Sequence, residues 1–175
     1  MDFSSGGDAT LYLVYLPPVG RSAAVNRLHM PPSPSSATIT KSFCNEVVIL
    51  SALCQPHLVR LHDFCADPPA LLLVYDFVPN DPLLHRLHRR GTAALPPLPW
   101  RTWLAMEAQI ASVLEYLHFS LKPHVVHHDM TSSNIFVEAD MRARIGGFGL
   151  SRLLATPDAC STATERDVSW WCWSC

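Results

Sequence analysis

One stretch limits this chain more than any other: HVVHHDMTSSNIFVEADMRARIGGFGL, from His124 to Leu150. It reads as short apolar strands set around a polar turn. Val125 and Val126 lead into His127, His128 and Asp129, and four residues separate Asp129 from Asn134. The apolar run Ile135, Phe136, Val137 follows at once. A second short strand, Ala143 to Ile145, enters the turn Gly146-Gly147-Phe148-Gly149. Taken alone, His127 is a core histidine and Asp129 a turn aspartate. The spacing from Asp129 to Asn134 favours a motif over that plain reading.

The rest of the composition describes what surrounds this stretch. With 175 residues, 49% of them hydrophobic and 16% charged, the chain can bury a core and is not of disordered type. Thirteen basic residues stand against 15 acidic ones. That balance lacks the basic excess of a protein that binds nucleic acid through phosphates. The longest apolar run, around Ala70 to Tyr75, is too short to span a membrane. The start, MDFSSGGDAT, has neither the basic residues nor the apolar segment of a secretion signal, so a cytoplasmic location is expected. Of the six cysteines, Cys44, Cys54 and Cys65 fall in apolar segments and read as reduced, buried thiols. Cys172 and Cys175 form a C-x-x-C, but without the strand and helix of a redox site or the extra ligands of a zinc site.

Along the chain, Thr10 to Tyr15 and Ala23 to Leu28 read as two strands joined by a turn at Pro17, Pro18 and Gly20. Pro31 to Ser36 reads as a loop. Lys41 to Leu53 has apolar residues at helical spacing (Phe43, Val47, Leu50, Leu53), with Glu46 beside the stripe. Leu58 to Phe64 and Leu71 to Phe77 read as further strands, and Pro79 to Pro82 breaks the chain. Leu83 to Arg90 is a short helix, and Ala93 to Pro99 a proline-rich loop. Trp100 to Phe119 is the strongest helix, with a stripe through Leu104, Ala108, Ala111, Leu114 or Glu115, and His118. His85 and His88 have a spacing that suits metal ligands, although exposed helix histidines explain them as well.

In this order, the segments resemble a protein kinase. The stretch around Asp129 is similar to H-R-D-x-x-x-x-N followed by D-F-G. The nearest likeness is to plant receptor-like serine/threonine kinases of the leaf-rust-resistance type. It is carried by FCNEVVILSALCQPHLVRL (Phe43 to Leu61), LLLVYDFVPN (Leu71 to Asn80) and NIFVEADMRARIGGFGLSRL (Asn134 to Leu153). The resemblance implies an α+β, protein-kinase-like fold. A β-rich N-terminal lobe with one helix would occupy residues 1–78. The first, mainly helical part of the C-terminal lobe would occupy residues 79–155, and a divergent tail residues 156–175. The family continues with an activation segment, an A-P-E motif and more helices, so a truncated domain is expected. The helix Trp100 to Phe119 would then show an open apolar face, for which the tryptophan-bearing tail is one candidate cover.

The resemblance also assigns roles. The glycine-loop positions are Ser4, Gly6, Ala9 and Leu11, of which only Gly6 keeps the glycine. Asn26 stands in place of the V-A-I-K lysine, which would leave Glu46 unpaired. Tyr75 guards the adenine pocket, and the backbone of Asp76 to Val78 would meet adenine between Ala24 and Phe136. Asp129 is the catalytic-base position and Asn134 a metal ligand. His128 replaces an arginine, Thr131 a phosphate-contacting lysine, and Gln55 a histidine. Gly147 replaces the aspartate that holds magnesium. The stack of Leu50, Leu61, His127 and Phe148 would join the lobes.

Phosphoryl transfer is mostly positioning and charge neutralisation, so the loss of the Lys–Glu pair and of the metal aspartate predicts inactivity. ATP and magnesium are the family's cofactors, here expected to bind weakly or not at all. The alternatives are a scaffold or decoy for a partner such as a full-length receptor-like kinase, an active kinase, and a gene fragment without selected function.

Overall fold

The computed structural model describes residues 2–6, 9–17, 20–30, 35–67, 70–79, 82–88 and 97–154. Its N-terminal part is a five-stranded antiparallel sheet. The strands are β1 (Asp2–Gly6), β2 (Ala9–Leu16), β3 (Arg21–His29), β4 (Leu61–Asp67) and β5 (Ala70–Asp76), in the spatial order β1-β2-β3-β5-β4. β-Branched and aromatic residues recur through β2, and β5 carries a Leu-Leu-Leu-Val-Tyr run, as a pleated, half-buried surface favours. Opposite residues share a face, so the register Ala24 with Tyr75 and Asn26 with Leu73 puts all four on one face of the sheet.

Helix α1 (Ser35–Ala52) lies against this sheet. Phe43 and Val47 from the helix, with Leu71 and Leu73 from β5, form a buried cluster edged by Ile39 and Phe64. The helix begins at Ser35, well before the expected Lys41, because Ile39 in its first turns also packs on this cluster. The fourth strand starts at Leu61 rather than Leu58. Residues 57–59 instead pair with the C-terminal part: Val59 N–H donates to Ile145 O at 2.8 Å and Ile145 N–H to His57 O at 2.8 Å. Arg144 adds a tether from its guanidinium to Leu58 O at 3.1 Å and to Glu138 at 2.6 Å.

The C-terminal part carries α2 (Leu83–His88), α3 (Trp100–Glu115) and a wider helical turn, Tyr116–Ser120. Two-stranded ribbons follow: β6 (His124–Val126) with β9 (Arg152–Leu154), and β7 (Ile135–Val137) with β8 (Ala143–Ile145). The stripe read on α3 is corrected here. Met106, Val113 and Leu117 are the buried positions, whereas Leu104 is 58% exposed and Ala108 and Ala111 face outward. Both stripes have helical spacing, so periodicity could not choose between them. The inward choice follows the larger apolar volume, which fills the space over Val125, Val137 and Ile145. Among the described residues no helix is long and apolar enough to cross a membrane. The tail with Cys160, Cys172, Cys175 and three tryptophans lies outside the described residues, as does the loop Pro31 to Pro34.

Candidate functional site

Two hydrogen-bonded groups meet at the glycine turn. The first centres on Asp129 and Asn134. The Asn134 Nδ2 donates to the Asp129 backbone carbonyl at 2.9 Å and to its Oδ2 at 2.8 Å. Gly146 N–H donates to Asn134 O at 2.9 Å, which ties β7 to the turn. Gly147 sits at φ 79°, ψ 48°, in the left-handed region. A Cβ at Gly147 would lie 2.6 Å from Asn134 Cγ and 2.6 Å from its Oδ1. The amide of Asn134 therefore occupies the space into which a side chain at position 147 would start.

His127 joins this group to the core. It is 2% exposed, and its ring meets Phe148 edge to face at 4.5 Å between centroids. Asp129 N–H donates to Nδ1 at 3.2 Å, so Nδ1 is the acceptor and Nε2 carries the proton that it donates to Gly146 O at 3.0 Å. Burial lowers the His127 pKa from its usual value. The neutral imidazole thus braces the turn on both sides. Phe148 is fully buried with Leu50 and Leu58, and Leu61 packs at the edge of the same cluster, so the stack expected to join the lobes is formed.

The second group lies between helix α1 and the turn. The Glu46 carboxyl faces the Tyr75 hydroxyl and the Phe148 backbone N–H, both of which favour its charged form. Burial raises its carboxyl pKa, and raises that of Tyr75 well above the usual phenol value, the neighbouring carboxylate adding to the effect on the phenol. The groups that face Glu46, the Tyr75 hydroxyl and the Phe148 N–H, are neutral, and neither is a cation. Sequence reasoning could not find this, because it looked for a charge at position 26 and Tyr75 supplies a neutral donor from β5 instead.

The remaining candidates are less gathered. Gly6 ends β1 opposite Ala9, and the loop residues after it lie outside the described residues. Ala24 and Asn26 lie on the same face of β3 and are hydrogen-bonded into neither group. Asp76 N–H donates to Arg60 O at 3.0 Å, so this amide is already engaged. The Asp76 side chain meets His62 Nε2 at 2.5 Å. Val78 follows β5 in an irregular, half-buried stretch. Phe136 is half-buried in β7, and its ring lies 3.1 Å from where a Cβ on Gly146 would stand. Thr131 bonds to Ser133 at 2.6 Å, and His128 is exposed at φ 63°. Two residues that the sequence did not single out belong to the site. Asn45 and the buried Ser151 bind backbone around the turn. The one available signal was an asparagine in a helix interior, where propensity disfavours it.

A five-stranded sheet with one packed helix, joined through a glycine turn to an Asp–Asn loop, is the architecture of a protein kinase. The chain belongs to the protein tyrosine and serine/threonine kinase family, whose pattern matches residues 23–174 and so extends into the tail. Among curated relatives, it is similar to the leaf rust 10 disease-resistance locus receptor-like protein kinase-like 1.5 of Arabidopsis thaliana. That relative is 45% identical over 170 residues, which cover 93% of this chain and 26% of the relative. The salt tolerance receptor-like cytoplasmic kinase 1 of Oryza sativa subsp. japonica is 36% identical, over 85% of this chain and 40% of that protein. Wall-associated receptor kinase-like 21 of Arabidopsis thaliana is 41% identical over 65% of this chain. The chain is thus a protein kinase domain of the plant receptor-like kinase family, and it spans less than half the length of these relatives.

Proposed function

We propose that this domain is catalytically impaired, binds ATP weakly at most, and acts by presenting a kinase-like surface to a protein partner. The carrying observation is the packing of the Asn134 amide against Gly147. Magnesium takes hard oxygen ligands, carboxylates above all. Position 147 has no carboxylate, and the Asn134 amide fills the space where one would begin. The residues present therefore do not fit the magnesium site of the family. Asp129, the acid of the adjoining loop, shares its Oδ2 with the Asn134 amide. Asn26 likewise supplies no charge for a phosphate. Losing one preorganised charge at a transferring phosphate costs on the order of 3 kcal/mol, and here two are missing.

In this reading, residues 1–78 act as the N-terminal lobe and residues 79–155 as the first part of the C-terminal lobe. Asp129 holds Asn134 rather than orienting a substrate hydroxyl. The Val78 amide remains a contact for a heterocycle. The domain works in the cytoplasm. A scaffold or decoy role toward a full-length receptor-like kinase is favoured by the outward side chains of Trp100 (68% exposed), Leu104 (58%) and Phe119 (75%) near the two ends of α3.

The test is thermal melting with and without Mg-ATP, with a phosphoryl-transfer assay beside it. A ligand that binds only the folded state must raise the melting point. The expected result is no magnesium-dependent shift and no transfer to protein substrates. A clear magnesium-dependent shift accompanied by transfer would overturn the reading.

A further inference from the structure

Helix α1 meets the glycine turn through neutral groups. The side-chain amide of Asn45 lies 3.1 Å from Phe148 O, 3.1 Å from Gly149 O and 2.6 Å from Ser151 O. One NH2 group has two hydrogens, so three converging carbonyls leave at least one of them shared. The amide has one workable orientation, because turning Oδ1 inward would set four oxygens against each other. Next to it, the Glu46 carboxyl faces the Phe148 N–H. The firm hold on Phe148 is the Asn45 amide on its carbonyl.

The packing below is equally close. Gly149 lies directly on Ser42 of the same helix, with no room for a Cβ. The far end of the held segment is fixed too. Ser151 Oγ donates to His127 O at 3.0 Å, and Ser151 N–H to Phe148 O at 3.0 Å. The three Asn45 contacts are part-buried, and they adjoin the fully buried Phe148 and the buried Ser151.

We propose that Asn45 is the positioning residue that sets where helix α1 sits, its amide holding the 148–151 backbone without any contribution from a charge at position 26. In active kinases a Lys–Glu pair and helix position are coupled to nucleotide and metal. Here the helix is held against the turn whether or not a nucleotide is present, so a partner meets a surface with one fixed arrangement. The inference stands on hydrogen bonds alone and holds equally if the domain transfers phosphate.

The experiment is hydrogen–deuterium exchange of the full chain, comparing the parent with Asn45→Asp and Asn45→Ala across a pH series. Asp is nearly the size of Asn but turns a donor into a charge that faces three carbonyls. At neutral pH, Asn45→Asp should exchange about tenfold faster at the 148–151 amides and in α1, while α3 stays as in the parent. As pH falls, a protonated Asp regains one O–H donor, and its difference from the parent should narrow. Asn45→Ala should loosen the same segments with no such recovery. Parental protection in Asn45→Ala would overturn the proposal, as would loosening spread evenly over the chain in either variant. A Mg-ATP shift in the melting test bears on catalysis and leaves this proposal untouched.

Discussion

Gly147 illustrates how one position shapes its neighbours. Restoring an aspartate there looks like a simple repair. It would place a Cβ 2.6 Å from Asn134 Oδ1, at a φ of 79° that L side chains rarely adopt. Gly147→Asp should therefore cost about 1–3 kcal/mol of stability, measured by denaturant or thermal unfolding. Asn134→Ala in the same chain should recover part of that loss. If Gly147→Asp melts like the parent, the Asn134 amide is not held where the structure places it. Glu46 carries a pH signature. Its folded pKa is raised above the usual 4.5 by burial, so the folded chain holds that proton more tightly than the unfolded one. Its contribution is thus fully present at low pH and is lost as pH rises from the unfolded value through the raised one. Glu46→Gln removes this loss, so its melting point should gain on the parent's as pH rises from the unfolded carboxyl value of 4.5 through the raised folded one. His127 has the opposite sign, its lowered pKa withdrawing stability as pH falls, but it is common to both chains and cancels in the comparison.

Among the elements, α3 shows most clearly where pattern stops short. Its length, lack of glycine and proline, and apolar spacing made a helix legible from the residues. Its orientation was not, because Leu104, Ala108 and Ala111 form as regular a stripe as Met106 and Val113, which Leu117 continues in the helical turn that follows. The two faces should respond differently to truncation. Leu117→Ala opens a cavity in a packed core and should cost about 2–5 kcal/mol, whereas Leu104→Ala should change stability by about 0.5 kcal/mol or less. Chemical denaturation of the two variants checks this, and equal costs would mean that the outward face is covered. Helix α1 gives a second lesson. Its central residues were readable as an amphipathic run, but its start was not, since SSATIT has weak helical propensity and is held by Ile39 packing on the sheet.

Across the whole molecule, one buried cluster crosses between the two parts: Ile49, Leu50 and Leu58 pack with Val113, Leu117, Val125, Ile145 and Phe148. Residues 57–59 add backbone pairing to β8, so the sheet and the glycine turn are joined by both apolar packing and hydrogen bonds. The order of motifs along the chain was enough to name the family and to expect its sheet, its helices and the Asp129–Asn134 loop. Those features are written in local spacing and residue type, which survive without knowledge of distant contacts. Packing made the remaining choices: the inward face of α3, the Tyr75 partner of Glu46, and the grip of Asn45 on carbonyls more than 100 positions away. Hydrogen bonds between distant residues leave no periodic mark in a sequence, and a buried acid takes whichever donor the fold brings to it, so these could be read only once the chain was folded.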